Sequence, residues 1–197
     1  MSQTVSWRNL LNDPDFFLML LRFDQDRSEE VRAARCPYCG SKLHFARYPR
    51  KPRGGPADLP AAYDRRESLC CSADGCRRRV LPPSLRFFGR RVYLGPVFVL
   101  VSAMISGITE KRAAELYELV GVTIRTLARW RKWWRKTFPR TVFWQGSRAR
   151  FMPPPDEWSL PSSLLECFRQ PSGSELVVAV LRFLAPLQIG SNSLMGG

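Results

Sequence analysis

TIRTLARWRKWWRKTF, Thr123 to Phe138, reads as a helix with two unlike faces. At about 100° per residue, Leu127, Trp130, Trp134 and Phe138 share one arc, and Arg125, Arg129, Lys132 and Lys136 gather on the other side. Gly121 breaks the chain before the helix, Thr123 suits an N-cap, and Pro139 stops it. A charged helix face is ordinarily the solvated side. This one carries four cations with no acid between Thr123 and Pro139, so it lacks the mixed signs of a salt-bridged surface. A polyanion is the partner that pattern fits. The preceding Thr109 to Val120 (TEKRAAELYELV) is also helical in spacing, with Ala113, Leu116, Tyr117 and Val120 on one side. A helix, a turn at Gly121 and a basic second helix make a helix-turn-helix pattern.

The charge distribution agrees. Of the formal +14, residues 31 to 150 hold 26 Arg/Lys against seven Asp/Glu, whereas residues 1 to 30 hold three against six and residues 151 to 197 two against four. A concentrated excess points to nucleic acid more than to solubility. The 197 residues, 45% apolar, suffice for a packed core in one or two small domains. Val92 to Ile105, the most apolar run, is shorter than the roughly 18 residues of a spanning helix and contains Gly95 and Pro96. FFLMLLRF (Phe16 to Phe23) is flanked by acids, with no cleavage site after it. No membrane span or export signal is expected, and six cysteines in a cytoplasmic chain read as metal ligands or free thiols, not as a disulfide framework.

Cys36-Pro-Tyr-Cys39-Gly40 is the clearest chemical motif: two sulfurs two residues apart can reach one tetrahedral ion at about 2.3 Å, and the glycine eases the turn. Cys71-Ser-Ala-Asp-Gly-Cys76 supplies a second pair after an interval of 31 residues. Four thiolates would close the site around a structural zinc ion. Cys70 competes with Cys71, and His44, the one histidine, with either. Cys71 is preferred because it makes the shorter turn and shares a strand face with Leu69. A redox CxxC would instead open a helix in a βαβ setting, which Cys36 lacks. Cys167 reads as a buried thiol. Arg77, Arg78 and Arg79, then Arg86, Arg90 and Arg91, place six arginines in 15 residues with no acid. They read equally as phosphate contacts or as the charged edge of a sheet.

Elsewhere, Asn12-Asp13-Pro14 introduces an amphipathic helix within residues 1 to 30. Lys42 to Tyr48 and Arg66 to Cys71 suit paired strands around a Pro/Gly loop, Lys51 to Asp64, and Arg77 to Leu81 a third extended piece. An apolar helix opens at Pro96 and closes at Gly107. Thr141 to Asp156 reads as a loop or extended arm, Ser162 to Arg169 and Ser174 to Leu184 as helices, and the final GSNSLMGG as disorder.

In this order, CPYCG at 36 to 40, CSADGCRRR at 71 to 79 and GITEKRAAELYELVGVTIRTLARW at 107 to 130 resemble the N-terminal DNA-binding region of zinc-ribbon insertion-sequence transposases of bacteria, and their small accessory proteins. The resemblance covers about Cys36 to Thr137. It implies Cys36, Cys39, Cys71 and Cys76 as Zn2+ ligands and the segment from Thr123 as the recognition helix, with Thr123, Arg125, Thr126, Arg129, Lys132 and Lys136 toward DNA and Arg77, Arg78, Arg79, Arg90 and Arg91 in support. Ala114 lies seven residues before Gly121, where the family commonly places a small residue four before. Such transposases continue into a domain with three metal-binding carboxylates; the 58 residues after Pro139 offer Asp156, Glu157, Glu166 and Glu175, too closely spaced for that fold.

The expectation is therefore an α+β chain, mostly α: an N-terminal helix (1–30), a zinc ribbon with a basic extension (31–91), a helix-turn-helix unit (92–139) and a C-terminal arm with short helices (140–197). Its expected role is sequence-specific binding of double-stranded DNA for a mobile element, without catalysis, in regulating or assisting transposition. A transposase or recombinase and a second copy of the chain are candidate partners. The alternatives are a non-catalytic transposase subunit or remnant, and an RNA-binding ribbon with Tyr38, Phe45 and Tyr48 stacking on bases.

Overall fold

Every residue of α3 (Gly95–Met104) is buried, so the run GPVFVLVSAM is an axis on which four other helices pack. A computed structural model describes residues 3–89, 91–104, 109–168 and 173–188. Around α3 lie α1 (Gln3–Leu11), α5 (Ile124–Lys132), α7 (Ser162–Cys167) and α8 (Ser174–Leu184). The architecture is mostly helical, with small antiparallel sheets between α2 (Pro14–Ala33) and α3. Among the described residues no helix is long and apolar enough to cross a membrane. Gly107, Arg90, Arg169 and the tail from residue 190 lie outside the described residues.

The N-terminal stretch forms two helices where the sequence suggested one. Asp13 caps α2 by accepting the Asp15 N–H at 3.0 Å, with Pro14 in the first turn. Asn12 and Asp13 close α1 with backbone bonds to Asn9 and Leu10. On α2, Phe16, Phe17, Leu20 and Leu21 are buried, and so is Asp24.

Asp24 is a buried acid that no local pattern announces. Its carboxylate accepts from Arg86 Nε at 2.8 Å, the Leu85 N–H at 2.6 Å and the Ser84 hydroxyl at 2.5 Å. Arg86, 0% exposed, also donates from Nη1 to the carbonyl of Tyr63 at 2.8 Å and from Nη2 to that of Arg65 at 3.1 Å. Arg86 is thus not one of a row of surface cations. It ties α2 to the strands, and the buried pair is tolerable because further hydrogen bonds support both charges.

The expected ribbon strands are short. β1 (Leu43–Phe45) pairs antiparallel with β4 (Leu69–Cys71), and β4 with β5 (Arg79–Val80); β2 (Tyr48–Pro49) pairs with β3 (Arg65–Arg66). The loop between β2 and β3 is anchored: the Arg53 N–H donates to Val92 O at 2.9 Å and Leu94 N–H to Arg53 O at 3.1 Å. Gly54 (φ +86°) then passes so close to α3 that a Cβ there would meet Val97 Cγ1 at 2.9 Å, a position for glycine on both counts.

α4 (Glu110–Val120) is capped by Thr109 and ends at the left-handed Gly121. Ala113, Leu116 and Val120 face inward; Tyr117, expected with them, is 53% exposed. After α5 the chain widens into one π turn, Trp133–Thr137, and then a 3-10 turn, Phe138–Arg140. Widening aims a third indole inward: Trp133 packs on Phe88 and Phe98 with centroids at 5.7 and 5.3 Å. Pro139 does not end the helical path, because its fixed φ suits the 3-10 turn.

The expected arm after Thr141 is instead α6 (Val142–Ser147) and a 3-10 turn, Arg148–Arg150. Thr141 Oγ1 accepts the Trp144 N–H at 3.2 Å, and Trp144 is fully buried against Phe138 at 4.9 Å. A cap and a buried indole override the turn-forming composition.

Candidate metal centre and cationic helix face

The two cysteine pairs sit on two similar turns brought together by the β1–β4–β5 sheet. In the first, Gly40 N–H returns to Cys36 O at 2.9 Å, and Gly40 is left-handed at φ +72°. In the second, Arg77 N–H returns to Ala73 O at 3.0 Å, and Arg77 is left-handed at φ +45°. Glycine is the usual occupant of such a position, so an arginine there hid the likeness of the turns. The Arg77 side chain pairs with Asp74.

Cys36, Cys39, Cys71 and Cys76 converge with all four sulfurs within 4.8 Å of one another. Cys36 and Cys76 sulfurs are 3.8 Å apart, and Cys39 and Cys71 sulfurs 3.4 Å apart. A tetrahedron with metal–sulfur bonds of about 2.3 Å has edges of about 3.8 Å, so the set could hold a metal ion such as zinc. Cys70 points away, toward the carbonyls of Cys71 and Arg77 at 3.7 and 3.6 Å. Its cross-strand partner His44 is exposed on β1. Cys167 is exposed, not buried as its apolar neighbours suggested.

Local hydrogen bonds, burial and the neighbouring thiols together set the acidity of these thiols. The Ser41 hydroxyl and N–H hold Cys39 down at about 6. Against the Ala73 N–H, which favours its thiolate, burial and the Cys39 and Cys36 thiols push Cys71 up to about 12. Four adjacent sulfurs do not share four negative charges readily; a dication removes that conflict.

The helix face separates as its periodicity requires. Leu127, Trp130, Trp134 and Phe138 are each 6% exposed or less, whereas Arg125, Arg129, Lys132 and Lys136 are exposed. Trp130 meets Tyr93 and Phe98 edge-on at 5.1 and 5.2 Å, and Trp134 stacks on Phe98 at 5.3 Å. Thr123 is exposed and caps the helix, accepting from the Thr126 N–H at 3.4 Å. Thr126 turns inward: it is 6% exposed, and its hydroxyl contacts Thr123 Oγ1 at 3.2 Å and accepts from Arg129 Nη2 at 3.1 Å.

Two cations missing from the sequence reading join this face. Arg131 and Arg135, with Ala128, Lys132 and Lys136, line a shallow depression of about 260 Å³.

The ribbon arginines divide. Arg77, Arg78 and Arg79 are exposed, with Arg78 over the Tyr38 ring at 4.5 Å and Arg79 over Tyr48 at 5.6 Å. Phe45 is covered by Arg47 at 4.3 Å and Arg32 at 5.2 Å. Arg91 packs over Phe98 and Trp133 at 4.4 and 4.5 Å, and burial lowers its guanidinium to about 10. That makes Arg91 a wedge between aromatic rings, a role its place in an arginine run did not announce.

Comparison with models of known families, with characterised proteins and with solved structures finds no match. The class defined by fold and site is a mostly helical protein with a zinc-ribbon-like four-cysteine cluster beside a small antiparallel sheet.

Proposed function

We propose that this chain is a binding module for double-stranded DNA in which Cys36, Cys39, Cys71 and Cys76 hold a structural Zn2+. The observation that carries the reading is α5 with the π turn that follows it, whose aromatic side is buried in the core while Arg125, Arg129, Lys132 and Lys136 stand in solvent. A rigid helix with a cationic outer face suits a duplex groove, and its first turn is best placed for base edges. The ribbon arginines Arg77, Arg78 and Arg79 add exposed charge. Service to a bacterial mobile element rests on the order of the sequence motifs alone.

Titrating duplex DNA against salt tests the proposal. Neutralising about six phosphates gives a slope of log affinity against log salt of roughly −5, and a slope near zero removes the reading. Arg125→Ala and Arg129→Ala should each cost about 1–3 kcal/mol on the preferred site and relax its specificity, whereas Lys132→Ala and Lys136→Ala should weaken all duplexes alike. Equal loss from all four on every sequence would leave phosphate binding without base readout.

A further inference from the structure

Two apolar side chains stand among the cations on the outer face of α5. Ile124 is 53% exposed, and Ala128 is exposed as well. Four residues apart on one helix, they lie one above the other, and the exposed Lys132 continues the same ridge a turn later. Arg125 and Arg129, both exposed, form the neighbouring ridge. The first ridge therefore begins apolar, at the end of the helix best placed for base edges, and ends cationic.

Nothing about the helix itself calls for Ile124. Isoleucine is a weaker helix former than alanine, leucine or arginine, and the start of α5 is already secured by Thr123, which accepts the Thr126 N–H at 3.4 Å. Leu127 and Trp130 hold the opposite side in the core. Beyond Ile124 the face is indented, because Ala128 carries a single carbon and lines the depression with Arg131, Lys132, Arg135 and Lys136. A partner that fits this face offers phosphates to the cations and a small apolar group to Ile124.

We infer that Ile124, with Ala128 beside it, packs on the C5-methyl group of thymine in the major groove, so that the preferred site carries a T·A pair next to the base pair that Arg125 reads. That methyl is the apolar group on the major-groove edges, which otherwise present hydrogen-bond donors and acceptors. Arginine suits the N7 and O6 atoms of guanine, with which isoleucine cannot pair, so the two adjacent residues divide the readout by chemistry. The inference rests on the duplex-binding reading and adds a base preference to it.

The test starts from a 20-base-pair duplex recovered by selection on the full chain from a randomised pool. Each thymine is then replaced in turn by deoxyuridine, which removes the methyl and keeps the pairing. Burial of one carbon corresponds to about a three- to fivefold loss of affinity at the position that Ile124 contacts. Ile124→Ala should bind the thymine and deoxyuridine duplexes equally at that position, and Ile124→Val should keep part of the difference. Because the side chain is half exposed and uncharged, the thermal unfolding and the salt slope of both variants should match those of the parent. Ile124→Val supplies the decision if Ile124→Ala does not fold. A pool that does not converge, a selected site indifferent to every deoxyuridine, or a discrimination that Ile124→Ala leaves intact overturns the inference while salt-dependent duplex binding stands. Absence of salt-dependent binding overturns the underlying reading as well.

Discussion

Stripping the zinc proposed for the four-cysteine centre should unfold the ribbon while the helices around α3 remain. The buried cluster here consists of Cys36, Leu43, Leu69 and Cys71, so half of it is ligands. Two leucines contribute about 1.5–3 kcal/mol each, against apparent binding free energies of about 10–16 kcal/mol for structural zinc in small folds. A bound ion would therefore outweigh these two leucines about two- to fivefold. Hydrogen exchange is the informative measurement: the N–H groups of Cys36, Cys71 and Ser72, bonded to Ser41 O at 2.9 Å, Arg78 O at 3.0 Å and Lys42 O at 3.0 Å, should lose protection on chelation. Amides of α3 should retain theirs. Cys36→Ser and Cys76→Ser should lose one equivalent of metal, and Cys70→Ser and Cys167→Ser should keep it. Persistent protection after complete metal removal would show that the strands stand on their own packing.

Arg86→Ala should be nearly as damaging. It would leave Asp24, 1% exposed, as a buried carboxylate without its charged partner. Breaking such a pair from one side typically costs about 3–5 kcal/mol. The carbonyls of Tyr63 and Arg65 would also lose donors. The double variant Asp24→Leu with Arg86→Met should cost less than Arg86→Ala, since it removes both charges together and fills the space. Denaturant unfolding of the three proteins decides the matter. A single-variant loss below about 1 kcal/mol would mean that water reaches the pair.

Periodicity made α5 legible, because one helix carried two opposed residue classes and Thr123 and Gly121 marked its start. Strand alternation likewise favoured Cys71 over Cys70, since Leu69 and Cys71 share the buried face of β4. Composition misled where burial depended on a distant partner. Arg86 and Arg91 sit in one run with Arg77 to Arg79, yet one is enclosed by Asp24 and the other by aromatic rings. No local pattern distinguishes a solvated arginine from one whose partner is 62 residues away. The helix at Val142 was hidden by its Gln-Gly-Ser composition; only the capping position of Thr141 offered a clue.

The long interval between the cysteine pairs has a consequence for anyone wishing to miniaturise this protein. Its middle is a clasp: Arg53 is stitched to Val92 and Leu94, and Gly54 lies against Val97. Trimming residues 51 to 59 to a short hairpin would spare every sulfur and every cation on α5. It would nonetheless remove one seam between the thiol-bearing half and the helical half, leaving Arg86, with Asp24, Tyr63 and Arg65, to hold their alignment. Grafting either half alone would therefore transplant chemistry without its alignment.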